Sequence, residues 1–209
     1  MEATQSQNKG SKRLFRNPLL ENLTRTHIAV PLILFFSYAA ALLYWSIQNT
    51  SLSTAATVGL FFTGLVAFTW VEYMVHRYVF HMVAKTEGQA KVKYTIHGVH
   101  HTFPKDKDRL AMPPLLSITI VTLLSFLFRV ILGDLAFSFL AGFLAGYAAY
   151  LSIHYLVHRF QPPRNFLRML WINHSIHHYK NENKVFGVSS PLWDYIYGTR
   201  IKNKSKSTN

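Results

Sequence analysis

The stretch that decides the fold runs from residue 135 to residue 158 and reads LAFSFLAGFLAGYAAYLSIHYLVH. A membrane-spanning helix needs about 20 predominantly apolar residues, and this stretch has that length. It ends in His154 and His158, which are four residues apart and therefore lie on one face of a helix. The sequence predicts a spanning helix from Leu135 to Val157 that carries two imidazoles at one end.

Three other apolar stretches have a similar length: residues 28–47, 52–73 and 115–132. Half of the chain is apolar and only 15% is charged, whereas soluble domains have about 25% charged residues. We therefore expect an all-α, polytopic membrane protein with four transmembrane helices.

The positive charges predict the orientation of these helices. With four crossings, 21 of the 22 lysines and arginines fall in segments 1–27, 76–114 and 158–209, which all lie on one side. By the positive-inside rule this side is the cytoplasm, so both termini are expected there. The net charge of +13 thus has an explanation in topology and in contact with lipid headgroups. We expect no nucleic-acid partner, since no module that reads nucleic acid is recognisable.

Three parts of the chain follow from this topology. Residues 1–27 form a basic cytoplasmic leader, residues 28–201 form a single membrane domain, and residues 202–209 read as a disordered polar tail. Within the domain, the long segments on the cytoplasmic side are expected to form a helical cap over the ends of the spans.

Ten of the eleven histidines fall at or just beyond the cytoplasmic ends of the spans. They form four groups: His76 with His81; His97, His100 and His101; His154 with His158; and His174, His177 and His178. Spacings of three and four residues direct imidazoles to one centre. His76 and His81 are five apart, so we expect the helix to end or distort between them. His27 stands alone and is assigned no role.

Ten imidazoles are too many for one ion and suit two metals with about five ligands each, so the cap is predicted to hold a dinuclear site. Zinc, copper, iron and nickel all accept imidazole. A nitrogen-rich site at a membrane surface favours oxidation of a hydrocarbon by O2, which zinc does not support. Iron is therefore the expected metal, with zinc as a substitute in a purified sample. The chain has no cysteine, which excludes thiolate sites.

Four motifs in this order carry a resemblance to a known family. The stretches EYMVHRYVFH, HGVHHTFPKDKDRLAMPP, HYLVH and HSIHHYKNENKVFGVSSPLWDYIYGT resemble the fatty acid hydroxylase superfamily, and most closely the fatty acid 2-hydroxylases, over about residues 70–200. The resemblance implies a membrane monooxygenase with a centre taken to be di-iron, which uses O2 to hydroxylate a fatty acyl chain at C2. The matching metal ligands are His76, His81, His97, His100, His101, His154, His158, His174, His177 and His178.

The resemblance does not say in which form the acyl chain is bound: the substrate could be a free acid, a thioester or an amide-linked lipid such as a ceramide in sphingolipid synthesis. It also assigns no substrate-binding residues. Fungal and animal relatives often carry a fused cytochrome b5 domain, whereas only a short basic leader precedes the first span here. We therefore expect a separate electron donor, such as cytochrome b5 or ferredoxin with its reductase. We expect a bacterial inner membrane, with the endoplasmic reticulum as the alternative. Relatives also often have an aspartate where this chain has Leu151, which leaves His154 without the expected acceptor.

Two other functions fit parts of the pattern. Sterol or carotenoid oxidases of the same superfamily use similar histidine boxes. A membrane metal transporter would also use histidines, but its ligands would lie within the spans near the midplane.

Two acidic residues are candidates to support the ligands. Glu72 precedes His76 by four residues, so it is expected either to accept a hydrogen bond from a ligand histidine or to pair with a nearby cation. Asp194 follows the fourth motif and is a similar candidate. Asp106, Asp108 and Arg109 are expected in a solvated loop, with ion pairing inside the cap as the alternative.

Three further patterns concern the membrane. Phe186, Trp193, Tyr195 and Tyr197 are expected to anchor the cap at the interface. Gly142, Gly146 and Ala149 predict close helix packing, with a groove for an acyl chain as the alternative. Residues 162–171, PPRNFLRMLW, predict a short helix on the membrane surface.

Overall fold

The computed structural model describes residue 7 and residues 10–201, and the regular elements within them are all helical. The α-helices are α1 (Pro18–Leu23), α2 (Ala29–Asn49), α3 (Thr54–Val75), α4 (Glu87–Lys93), α5 (Val99–Thr102), α6 (Pro114–Leu132), α7 (Leu135–Arg159), α8 (Arg168–Tyr179) and α9 (Leu192–Ile196). Two π-helical turns, His76–Phe80 and Tyr94–Gly98, and a 3-10 turn, Lys107–Arg109, complete them. The tail predicted at 202–209 and residues 1–6, 8 and 9 of the leader lie outside the described residues. The all-α prediction is confirmed.

Four of the described helices, α2, α3, α6 and α7, are long and apolar enough to cross a membrane. The predicted spans differ from these helices by at most two residues at any end. Only 11% of the apolar window of α6 is buried in the protein, compared with 56% for α7. Helix α6 therefore presents most of its surface to lipid, while α7 is the central helix of the bundle.

Glycines allow α3 and α7 to approach each other closely. A Cβ atom on Gly142 would lie 1.8 Å from the Phe61 carbonyl oxygen, and one on Gly64 would lie 1.9 Å from the Phe139 carbonyl oxygen. Gly146 meets the Phe68 side chain in the same interface. The prediction of close packing is confirmed. The alternative of an acyl groove along Gly142 and Gly146 is wrong, because α3 fills that face.

Helix α2 packs against α7 and completes the inner layer. The rings of Phe35 and Tyr147 meet edge to face with centroids 4.8 Å apart. Nearer the opposite end of the bundle, the hydroxyl groups of Ser46 and Ser138 are 2.7 Å apart and share a buried hydrogen bond. Interhelical hydrogen bonds of this kind replace the hydrophobic driving force that lipid does not supply.

Helix α3 changes its winding where the first histidines occur. It runs into a π-helical turn over His76–Phe80, in which the His81 N–H donates to the His76 carbonyl at 3.1 Å. A π turn needs more than four residues per revolution, so residues five apart come onto one face. The predicted distortion between His76 and His81 is confirmed, and it directs both rings to the same side.

The end of the leader is folded against the loop that follows the second histidine motif. The Arg109 guanidinium donates to a Glu21 carboxylate oxygen at 2.5 Å, and both side chains are buried. The Thr26 N–H donates to the Asp108 carbonyl at 2.8 Å, and Asp106 accepts from Ser11. The prediction of a solvated loop is wrong, because these bonds satisfy its polar groups inside the protein. The alternative, ion pairing inside the cap, is confirmed for Asp106 and Arg109, whereas Asp108 forms no ion pair among the described residues.

The predicted surface helix at 162–171 is also wrong in its bounds. Residues 160–167 form turns and extended chain, and helix α8 begins only at Arg168. The indole N–H of Trp171 donates to the Phe160 carbonyl at 2.8 Å, which ties α8 to the end of α7. The prolines at 162 and 163 keep residues 161 and 162 out of a helix, because a proline disfavours helical backbone at the residue before it; nothing in the structure explains the start as late as Arg168.

Candidate metal centre

The ten histidines of the four motifs converge at one end of the spans as two clusters of five. Within each cluster, one nitrogen from every ring lies within 4.8 Å of the others. Cluster one contains His76, His81, His97, His101 and His177, and cluster two contains His100, His154, His158, His174 and His178. All of these rings are buried except His158, which is half-buried. His27 is exposed and lies apart from both clusters.

The spacing of the nitrogens fits two metal ions. In cluster one the Nε2 atoms of His97 and His101 are 3.0 Å apart, and in cluster two those of His100 and His154 are also 3.0 Å apart. Metal–imidazole bonds are about 2.1 Å long, so two ligands at a right angle are separated by about 3.0 Å. Five nitrogens at this spacing could hold one ion of five or six coordination.

The surroundings keep the rings in the neutral form that binds metal. Burial, followed by the neighbouring His177 and His101, lowers the pKa of His81 to about 2. Burial also lowers the pKa of His177 to about 4, although a hydrogen bond to the Lys184 carbonyl acts in the opposite direction. For His97 and His178 the pKa is well below its ordinary value, again because of burial first and neighbouring imidazoles second.

A loop over residues 184–189 supports cluster one. The Phe186 carbonyl accepts from His76 Nδ1 at 2.5 Å, and the Lys184 carbonyl accepts from His177 Nδ1 at 2.8 Å. Between them, Val185 has a φ of 55°, which is a strained conformation for a β-branched residue. This strain is stored at the point where the backbone directs two carbonyls toward ligand rings.

Glu72 and Asp194 hold this loop and do not bond to a histidine. Glu72 accepts from the Val188 and Ser189 N–H groups at 2.7 and 2.9 Å, and also from the Ser189 hydroxyl. Asp194 accepts from the Phe186 and Gly187 N–H groups, both at 2.9 Å. The prediction that Glu72 accepts from a ligand histidine is wrong, since the acceptor for His76 is a main-chain carbonyl. The two carboxylates act indirectly: they bind the backbone N–H groups of the loop whose carbonyls accept from the histidines.

The predicted aromatic anchors have other roles. Phe186 is buried and packs its ring edge to face against His76 and His177, with centroids 5.8 and 5.6 Å apart. The Trp193 indole donates to Thr69 at 3.0 Å, so it fastens α9 to α3. The interfacial prediction is wrong for Phe186, which is buried, whereas Trp193 is half-buried and its anchoring role stays a prediction.

Tyr197 likewise stacks on the Tyr73 ring, with centroids 5.1 Å apart. Tyr195 and Tyr197 are both exposed, with Arg200 above the Tyr195 ring, and their anchoring role stays a prediction. Phe80 was not predicted, yet its ring stacks on His97 at 4.7 Å.

Cluster two lacks comparable support. Four of its five rings, those of His100, His154, His174 and His178, have a buried Nδ1 without a hydrogen-bond partner among the described residues. The Leu110 carbonyl faces the His154 ring but makes no hydrogen bond of ordinary geometry. Leu151 is buried, so the expected lack of a side-chain acceptor for His154 is confirmed. In cluster one only His81 has a buried Nδ1 of this kind.

The backbone acceptors were not predictable from residue types. A carbonyl group occurs at every position, so nothing in the letters at 184–186 marks it as a partner for a histidine. The positive φ of Val185 was not predictable either, because tertiary contacts and not the residue type set this backbone angle. An acidic residue, Asp194, in the stretch after His178 is the signal that indicated a supporting role nearby.

Comparisons with known proteins agree with this architecture. Residues 61–199 match the family model described as fatty acid hydroxylase. The chain is 30% identical to the rat fatty acid 2-hydroxylase over 92% of its own length and 58% of the relative. It is 32% identical to the dihydroceramide fatty acyl 2-hydroxylase FAH1 of Arabidopsis thaliana, over 94% of this chain and 83% of that protein.

A solved structure of full-length scs7p, with only the hydroxylase domain visible, superposes with a TM-score of 0.85 at 32% identity. The match covers 96% of this chain and 76% of that one. The chain thus spans between half and five sixths of the length of the relatives it matches. The motifs, the two clusters and the matched length lead to one conclusion: the chain belongs to the fatty acid hydroxylase family.

Proposed function

We propose that this protein is a membrane-bound monooxygenase that adds a hydroxyl group to a fatty acyl chain at C2, with a dinuclear metal centre and O2. The observation that carries the proposal is the pair of five-histidine clusters, buried at the end of four spanning helices. The relatives support the position of the hydroxyl, since the proteins from rat and A. thaliana are named as 2-hydroxylases.

The ten clustered histidines are the proposed metal ligands, five for each ion, and no other side chain is assigned a catalytic role. Iron is the proposed metal for both, because activation of O2 needs a redox-active ion and neutral imidazole suits iron. When bound, the metals would supply the oxidising chemistry on O2. One oxygen atom enters the product and the other leaves as water, which requires a pair of electrons and two protons from outside the protein.

The residues of the chain position and shield this centre. The carbonyls of Phe186 and Lys184 fix the rings of His76 and His177 through their Nδ1 atoms, which orients Nε2 toward the metal. The rings of Phe80 and Phe186 pack against His97 and His76 of cluster one. The protein's share of catalysis is then to hold one C–H bond of a long chain in reach of the oxidant.

The remaining parts of the proposal concern topology and partners. We place both termini in the cytoplasm on the strength of the lysine and arginine distribution. The electron donor would be a separate protein such as cytochrome b5 or ferredoxin with its reductase. The reported relatives come from animals, plants and yeasts, so they favour the endoplasmic reticulum and do not support a bacterial inner membrane.

The test is to express the protein in membranes with iron and a reductase system, and to analyse acyl chains by lipid mass spectrometry. We expect a gain of one oxygen at C2. The variant His154→Ala is expected to give no product, whereas His27→Ala, which removes an exposed histidine outside the clusters, is the matched control and should keep full yield.

Two results would contradict the proposal. Full product from His154→Ala would remove the metal assignment. Unchanged acyl chains together with an oxidised sterol or carotenoid would keep the histidine chemistry and overturn the substrate class.

A further inference from the structure

A cavity of about 100 Å³ opens beside cluster two. Its lining consists of Lys105, Lys107, Leu110, Tyr155, His158 and Arg159. His158 is the half-buried ring among the ten, so this cavity is where the outside of the protein reaches a proposed metal ligand.

The cavity is lined by unpaired positive charge. Lys105 and Lys107 come from the loop after the second motif, and Arg159 ends α7. Within the described residues, none of the three side chains forms an ion pair or a hydrogen bond. Asp106, which lies between the two lysines, is turned away to Ser11 and Arg109. No carboxylate lines the cavity, so the cations have no counter-charge there.

The proposed reaction explains why charge would be needed at this place. C2 of an acyl chain is one bond from the carboxyl carbon, so a group that binds the head of the substrate must lie next to the metals. The lining places three cations and the Tyr155 side chain beside the His158 ring. Positioned cations and a hydroxyl are the donors that bind a carboxylate strongly.

The volume of the cavity limits the size of the group that can bind in it. A water molecule takes about 30 Å³ in the liquid, so the space suits a group of a few heavy atoms. A carboxylate fits, and unlike the neutral amide of a ceramide it would neutralise the cations that line the cavity. Leu110 and the Tyr155 ring provide apolar walls for the first carbons of the chain.

We infer that Lys105, Lys107 and Arg159 form a binding site for the carboxylate of a non-esterified fatty acid, which holds C2 at the metals. The inference rests on the proposed function and adds a substrate form to it. The site would give this chain a preference for the free acid. This would distinguish it from relatives that are named for ceramide or dihydroceramide.

The test measures binding and turnover separately on the metal-loaded protein in detergent micelles. The ligands are radiolabelled palmitate, its methyl ester and N-palmitoyl sphinganine. The triple variant Lys105→Gln, Lys107→Gln, Arg159→Gln should weaken palmitate binding by at least about tenfold, leave methyl palmitate binding unchanged and retain two metals. The wild type should lose palmitate affinity as salt is raised.

The matched control removes the same charge elsewhere. Lys85, Lys91 and Arg16 are exposed, and Lys85→Gln, Lys91→Gln, Arg16→Gln should bind palmitate as the wild type does. The inference is overturned if the first triple variant binds palmitate normally, or if both triple variants weaken it equally. Hydroxylation of N-palmitoyl sphinganine with no binding of palmitate would overturn the inference and keep the proposed function. Salt-sensitive palmitate binding without any hydroxylation would keep the carboxylate site and overturn the proposed function.

Discussion

The two histidine clusters have the same number of rings but different surroundings. Cluster one is backed by the 184–189 loop, where two carbonyls accept from His76 and His177. In cluster two, four rings have a buried Nδ1 without a partner among the described residues. The loop is fixed by Glu72 and Asp194, so cluster one keeps its shape through protein contacts.

The difference concerns how the imidazole rings of each cluster are oriented. Rings held by hydrogen bonds at Nδ1 are oriented before a metal binds, while rings without them are held by packing and by the metal itself. Cluster two also contains the half-buried His158, beside the cavity with the three cations. More rings of cluster one than of cluster two are therefore oriented by hydrogen bonds to the protein.

The largest effect is expected from loss of a ligand. His177→Ala removes a ring from cluster one and His174→Ala removes one from cluster two, and each variant should lose one of two metals and all product. Metal analysis of purified protein and lipid mass spectrometry measure the two results. If His174→Ala retained both metals and its activity, cluster two would not be a metal site.

The next effect concerns the buried ion pair of Glu21 and Arg109, which joins the leader to the loop after His101. Arg109→Met removes one partner of the buried Glu21 carboxylate, which keeps Arg25 and the Leu14 and Phe15 N–H groups, and we expect the free energy of unfolding to fall by about 3 kcal/mol. The double variant Glu21→Gln, Arg109→Met should regain much of this loss. Unfolding in mixed micelles measures it. A loss of stability that is as large in the double variant would show that the ion pair is not the cause.

A smaller effect is expected from the support of cluster one. Asp194→Asn removes the charge that accepts from Phe186 and Gly187, at a cost of about 1–3 kcal/mol in stability. Affinity for the metal of cluster one should fall by about 10–100-fold, because the carbonyls are no longer fixed. Competition with a chelator measures it. Asp108→Asn, in the loop beside cluster two, is the control and should leave cluster one unchanged.

The smallest effect compares the two sites in the unmodified protein. Dialysis against a chelator should remove metal in two phases, with cluster two emptied about tenfold faster, since its rings lack acceptors. Metal content against time, with the His174→Ala variant to identify the slow phase, measures this. Loss in a single phase would mean that the acceptors make no difference.

The sequence carries enough information for the fold class and for the ten candidate ligands. Hydropathy and helical periodicity are local properties, so the spans and the pairing of His154 with His158 follow from residues near each other in the chain. The five-residue spacing of His76 and His81 even indicated a distortion, which the π turn confirms. The role of the leader was not visible, because the partner of Glu21 is Arg109, 88 residues away.

By itself, the sequence determined that this is a membrane protein with its histidines at one end of four helices, because apolar length and residue spacing are written directly in the chain. Only the tertiary structure decided which five rings form each cluster, since His81 meets His177 across 96 residues. It also decided that main-chain carbonyls, and not Glu72, support the rings of cluster one. Such contacts depend on long-range packing and backbone direction, which no local pattern of side chains encodes.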